Sequence, residues 1–100
     1  MNTNRRIFKY TLYPYSQTIK VPAGTTVLSV INQRENLVLY VSVPEDNDPE
    51  VVKDLEIAIV GTGHTFSFDT VNDFTFLGTV STFGGDLIWH VFYKDRGYFG

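Results

Sequence analysis

Residues 74–93 read FTFLGTVSTFGGDLIWHVFY, two runs rich in Val, Ile, Phe, Trp and Thr on either side of Gly84-Gly85. β-Branched and aromatic side chains suit a pleated, half-buried backbone, and paired glycines supply the positive φ that a tight hairpin turn demands. With the glycines at the centre of the turn, Val80 faces Trp89, Gly78 faces Val91 and Phe76 faces Tyr93 on one side of the ribbon. Thr79 faces His90 and Leu77 faces Phe92 on the other. The hairpin decides the fold class. It carries no catalytic signature.

The same alternation extends towards the N-terminus. Phe8, Tyr10 and Leu12 share one face of a first strand that Pro14 ends. Gln17–Val21 is a short second strand with Ile19 and Val21 inward, and Pro22-Ala23-Gly24 turns the chain into a third, Thr25–Gln33. The polar Arg34-Glu35-Asn36 leads to a fourth strand, Leu37–Val43, and Leu55–Val60 is a fifth. One place suits a helix: Asp48-Pro49-Glu50 resembles an N-cap, a first-turn proline and an acidic first turn. The run Val51–Asp54 that follows is short and β-branched, so one helical turn is the most it predicts. The expectation is a small all-β domain: an antiparallel β-sandwich or barrel of about seven strands with at most one short helical turn.

A chain of 100 residues makes one domain, residues 1–100, because either half alone is too small to bury a core. With 43% hydrophobic and 15% aromatic residues it needs no metal or covalent staple, and without cysteine it can form neither a disulfide nor a thiolate zinc site. The net charge of −3 argues against DNA or RNA as partners, since a phosphate backbone demands a basic footprint. The charge is uneven: Arg5, Arg6, Lys9 and Lys20 lie early, and Glu45, Asp46, Asp48 and Glu50 cluster in the middle. No apolar run is long enough to span a membrane, and the arginines of MNTNRRIFKY precede no apolar signal core. These features predict a soluble, cytoplasmic protein with no membrane partner.

Gly61-Thr62-Gly63-His64 directly follows the fifth strand. Glycines there either end a strand at a tight bend or turn backbone N–H groups towards an anion such as phosphate. The phosphate-binding fingerprints require a further glycine or a Gly-Lys-Ser/Thr ending and then a helix, and Thr65–Asp69 is not helix-like. His64 and His90 are the only histidines. Imidazole suits acid–base work, but His90 sits mid-strand opposite Thr79, where a hydroxyl satisfies it structurally. Neither histidine has further ligands at metal-binding spacing, and Ser29, Ser42, Ser67 and Ser81 lack a nucleophile-elbow context. No catalytic residue, metal site or cofactor is therefore assigned, and binding is favoured over chemistry. Tyr10, Tyr13 and Tyr15 cluster beside Arg5, Arg6 and Lys9, which suits a stacked, negatively charged ligand or a half-buried sheet. The ligand-binding candidates are Gly61, Thr62, Gly63, His64, Tyr10 and Arg6. Tyr98 and Phe99 in the tail either dock on their own domain or bury in a partner. Open strand edges and 15% aromatic residues predict a homo-oligomer with this tail in its interface.

The blocks IFKYTL, TIKVPAGTTVLSV, NLVLYVSV, VGTGH, FLGTV and LIWHVF, from about Ile7 to Phe92, together resemble a family of small uncharacterised proteins of tailed phages and prophages. That family carries the signature GTGH…LGTV…L(I/V)WHVF; Thr65–Asp73 and the residues beyond Phe92 are particular to this sequence. The resemblance implies a phage-encoded accessory protein of the host cytoplasm with no established reaction. Two functions fit such a protein. One is counter-defence, by sequestering a small phosphorylated ligand or nucleotide signal without catalysis. The alternative is protein–protein interaction, with a host protein or in phage structure and assembly.

Overall fold

The computed structural model describes residues 3–96. Seven strands form among these residues: β1 Arg5–Leu12, β2 Gln17–Pro22, β3 Thr26–Gln33, β4 Asn36–Pro44, β5 Val52–Gly61, β6 Thr75–Thr82 and β7 Leu87–Asp95. They make two antiparallel sheets, a three-stranded layer in the order β1-β4-β3 and a four-stranded layer in the order β2-β5-β7-β6. The sequence reading left sandwich or barrel open; the separate sheets, each with two edges, make it a sandwich. Leu12, Val30, Leu37, Leu39, Val41 and Val43 from the first sheet meet Val21, Leu55, Ile57, Ile59, Val80 and Val91 from the second. That interdigitation is the core, and each of these side chains stabilises the fold by about 1.5–3 kcal/mol relative to exposure.

All the short connections lie at the two ends of the sandwich. The upper end collects the β1–β2 loop, the β3–β4 turn, the loop after β5 and the β6–β7 turn; the lower end collects the β2–β3 and β4–β5 connections. The layers are clasped at both. Above, Asn32 Nδ2 donates to the Ser81 carbonyl at 2.9 Å, and the Glu35 carboxylate accepts from the Phe83 N–H. Arg34, Glu35 and Phe83 all have positive φ, so the two hairpin turns that meet here are both left-handed. Below, buried Lys53 reaches the Thr25 carbonyl at 2.9 Å and Asp95 at 2.6 Å.

The hairpin reading holds from its turn down to Gly78: Thr82 pairs with Leu87, Val80 with Trp89, Thr79 with His90 and Gly78 with Val91. Below that a bulge between Phe76 and Gly78 shifts the register, so Phe76 pairs with Phe92 and Thr75 with Tyr93. The extra residue, Leu77, turns onto the core instead of facing Phe92. The turn comprises Phe83–Asp86, with the two glycines central at φ 68° and 94°.

The helical turn falls elsewhere than expected. Asp48 accepts from the Glu50 N–H at 2.9 Å and from the Val51 N–H at 3.0 Å, which makes a turn, and β5 starts at Val52, three residues earlier than the alternation from Leu55 suggested. The β-branched Val51-Val52 pair prefers extended backbone once β2 offers a ladder, and Val52 pairs with Pro22. Among the described residues the one α-helical turn, α1, is Phe68–Val71, capped by Ser67, whose Oγ accepts from the Asp69 N–H. It belongs to the connection from β5 to β6. Both strands are antiparallel to β7 and so run the same way, and their connection must cross the sheet from top to bottom. It does so over the outer face, where Asp69, Thr70 and Phe74 share a cleft with Glu56, Ala58 and Lys94. Ala58, an outward-facing residue of β5, is buried beneath it.

Candidate functional site

The loop after β5 is a tight bend at the upper end. The Thr62 N–H donates to the Ile88 carbonyl and the His64 N–H to the Gly61 carbonyl, both at 3.0 Å. Two of the loop's backbone donors are thus spent within the protein. Gly63, at φ 87°, has open space where a Cβ would stand, and the His64 ring lies against Gly61, where a Cβ would come within 2.7 Å of Nδ1. A side chain at position 61 would push the imidazole out of this seat. Beside the loop a cleft of about 200 Å³ is lined by Gly61, Thr62, His64, Asp86, Leu87, Ile88 and Trp89. Its one charged wall residue is an acid, which disfavours a phosphate there.

His90 is fixed from both sides. Thr62 Oγ1 lies 2.7 Å from Nε2 and Thr79 Oγ1 lies 3.2 Å from Nδ1, so hydroxyls on β6 and on the loop hold the ring against the outer face. The structural reading of His90 opposite Thr79 is met, and Thr62 proves to be part of the same chain of hydrogen bonds.

The remaining site candidates sit apart from this loop. Tyr10 pairs with Leu39, points between the sheets and packs on the core. Arg6 pairs with Val43 near the lower end, whereas Gly61 ends β5 at the upper end. The structure therefore brings Gly61, Thr62, Gly63 and His64 together in one loop and leaves Arg6 and Tyr10 on β1, in the other sheet. Arg5 is structural: its guanidinium donates to Ser42 Oγ at 2.6 Å, the Ser42 carbonyl at 3.0 Å and the Gly24 carbonyl at 2.8 Å, tying β1 and β4 to the β2–β3 turn. The tail aromatics Tyr98 and Phe99 lie outside the described residues.

Burial raises the Tyr10 phenol above its ordinary value of 10.0. A group whose folded pKa is raised contributes stability that is complete below its unfolded pKa and is lost as pH rises through the folded one. The protein should therefore lose stability above about pH 10, and Tyr10→Phe should flatten that loss. Urea denaturation of both forms from neutral to alkaline pH measures the difference directly.

Two other surfaces stand out. Tyr13 and Tyr15 stack with centroids 5.2 Å apart and planes within 5°. Gln17 clamps their loop, its Nε2 donating to the carbonyls of Tyr13 and Tyr15 at 2.9 and 2.7 Å and its Oε1 accepting from the Tyr13 N–H. The second is β1 itself. It pairs with β4 on one side and, among the described residues, with no strand on the other. Ile7 on its outer face is 66% exposed, and Phe8, which points between the sheets, is 49% exposed. The side chains of Arg6 and Lys9 make no hydrogen bond or ion pair among the described residues. The sequence places Phe8 on the same face as Tyr10 and Leu12 and does not single out Ile7. The available signal was Arg6, a charged residue at an inward-facing position, which marks an edge strand.

No curated protein and no solved structure matches the chain. A family model does: residues 3–98 match the family described as a domain of unknown function, DUF7352, and the chain belongs to it.

Proposed function

We propose that this chain is a non-catalytic binding module whose target is another protein, working in the setting its phage-family resemblance implies: an accessory of the host cytoplasm in counter-defence or assembly. The observation that carries this reading is β1, an eight-residue edge strand that exposes Ile7 and Phe8 on opposite faces. Large apolar groups flanking unpaired backbone are what protein partners use as anchors. The loop at Gly61–His64 supports sequestration of a phosphorylated ligand less well, because two of its N–H groups are used internally and Asp86 lines its cleft. Self-association is part of the same proposal: Phe68 and Phe76 are 73% and 55% exposed, and burying them between copies is favourable.

The test sets the two kinds of target side by side. Selection from a random peptide library on the immobilised chain should enrich a sequence class, and a panel of linear and cyclic nucleotides should leave the melting temperature unchanged. A nucleotide that raises it in the parent but not in Gly63→Val or His64→Ala would instead establish the phosphorylated-ligand reading. For self-association, sedimentation velocity should show a species larger than 11.4 kDa that Phe76→Asp shifts towards monomer. A parent that sediments as a monomer at micromolar concentration would refute it.

A further inference from the structure

The backbone of β1 alternates in where it points. The Glu45 N–H donates to the Asn4 carbonyl, so that position of the β1–β4 register is a hydrogen-bonded pair. Hydrogen-bonded and non-hydrogen-bonded pairs alternate along an antiparallel ladder. Arg6, Phe8, Tyr10 and Leu12 therefore spend their N–H and C=O groups on β4, and those of Arg5, Ile7, Lys9 and Thr11 face away from it. Pro44 opposite Arg5 agrees, since a residue without an N–H fits only a non-hydrogen-bonded position.

The other edges are blunted. β3 and β6 each carry a bulge and lie against one another across the layers. β2 has six residues, ends in Pro22 and holds Lys20 in an ion pair with Asp54. β1 has neither bulge nor proline. It is also where the smaller layer falls short: three strands lie over four, and Arg6 and Phe8, both inward-pointing, are exposed beside the vacant place.

Charge says what fits there. β1, β3 and β4 together hold Arg5, Arg6 and Lys9 and no Asp or Glu, although the whole chain carries −3. On the outer face of that sheet a depression of about 220 Å³ is lined by Lys9, Arg34, Thr11, Gln33, Asn36 and Val38, with two cations and no acid. A second copy of β1 would set these cations against each other, and like charges on paired strands repel.

We propose that β1 receives an acidic, extended segment of a partner protein as a fourth strand of the smaller sheet, bonded to the outward N–H and C=O groups of Arg5, Ile7, Lys9 and Thr11. Carboxylates of that segment meet Arg6 and Lys9, and its apolar residues cover Ile7 and Phe8. This rests on the protein-binding reading above and adds the partner's chemistry and mode of docking.

The experiment uses the full chain and three fluorescein-labelled peptides of equal length: a Glu-Val-Val-Glu repeat, which sets carboxylates opposite Arg6 and Lys9 and valines opposite Ile7 and Phe8, the same repeat with Lys in place of Glu, and the Glu peptide interrupted by prolines. Anisotropy should show binding of the Glu–Val peptide, weakened by salt, with the other two at least about tenfold weaker. The double variant Arg6→Glu, Lys9→Glu should lose about tenfold for the Glu–Val peptide. Ile7→Pro, which removes an outward N–H without deleting a bond to β4, should abolish binding. Circular dichroism of both variants checks that the sheet is intact. Amide exchange gives the sharpest readout: the peptide should newly protect Ile7, Lys9 and Thr11 and leave Phe8 and Tyr10, already bonded to β4, unchanged. Glu–Val binding that protects none of these amides, equal affinity for the Lys peptide, or no binding at all would overturn the proposal. If the random library then enriches neutral or basic sequences, only the acidic partner is wrong; if it enriches nothing, the protein-binding reading falls with it.

Discussion

Leu39→Ala is expected to cost about 3–5 kcal/mol, at the upper end of what leucine truncation does in a closed core. Leu39 has no solvent exposure and stands in β4, the central strand of its sheet, with β1 on one side and β3 on the other. A void there is walled by paired backbone on both flanks and by the opposite layer above, so little can relax into it. Domains of this size have about 5–15 kcal/mol in total, and the variant should melt well below the parent or be largely unfolded at room temperature. Leu39→Met, which conserves volume, should cost less than about 1.5 kcal/mol. Urea titrations of the three proteins check the order. A loss below about 1 kcal/mol for the alanine variant would mean the core is not closed around this residue.

The second large effect is expected at Trp89. Its ring packs on the core, and its Nε1 donates to Thr82 Oγ1 at 3.0 Å, a hydroxyl that is itself buried. Trp89→Ala removes the packing and leaves that hydroxyl without its donor, together worth about 3–5 kcal/mol. Trp89→Phe keeps most of the apolar area and loses the hydrogen bond, so its cost should fall between the parent and the alanine variant. Thr82→Val on the Phe background should recover part of the loss, because replacing both partners by apolar groups removes the unpaired hydroxyl. Thermal unfolding followed by circular dichroism measures all four, since the chain has one tryptophan and fluorescence would be lost with it.

How far these residues could be read in advance depended on which interactions decide their structure. Val80, Trp89, Thr79 and His90 were placed correctly because paired glycines and period-two alternation are local signals. The shift at Leu77 was not: Gly78 beside it is the kind of residue that marks a bulge, but whether the strand takes one depends on how it twists against the other layer. The helical turn was put at Asp48, where proline and acids suit a first turn, but β2 recruits Val52 into a ladder and tertiary pairing overrides the local preference. Ser67-Phe68-Asp69 held the actual cap in plain sight. Phe8 shares its parity with Tyr10 and Leu12. Parity gives the face, and only the topology says that nothing covers that end of it. The Gly61–His64 loop was found by its glycines, and their use in seating an imidazole on Gly61 required the folded loop.

The position of β7 has a bearing on how the molecule reaches this structure. It is the last in sequence of the described strands and lies in the middle of its sheet, between β5 and β6. Until residues 87–95 join, those two strands have no ladder to one another, and the larger layer has no continuous surface to set against the smaller. Assembly must wait for contacts distant in sequence, which places the domain among the slower folders of its length, on the order of milliseconds to seconds. In the interval the apolar faces of β5 and β6 are bare, so yield in a cell should depend on chaperone capacity more than on the equilibrium stability of the finished sandwich.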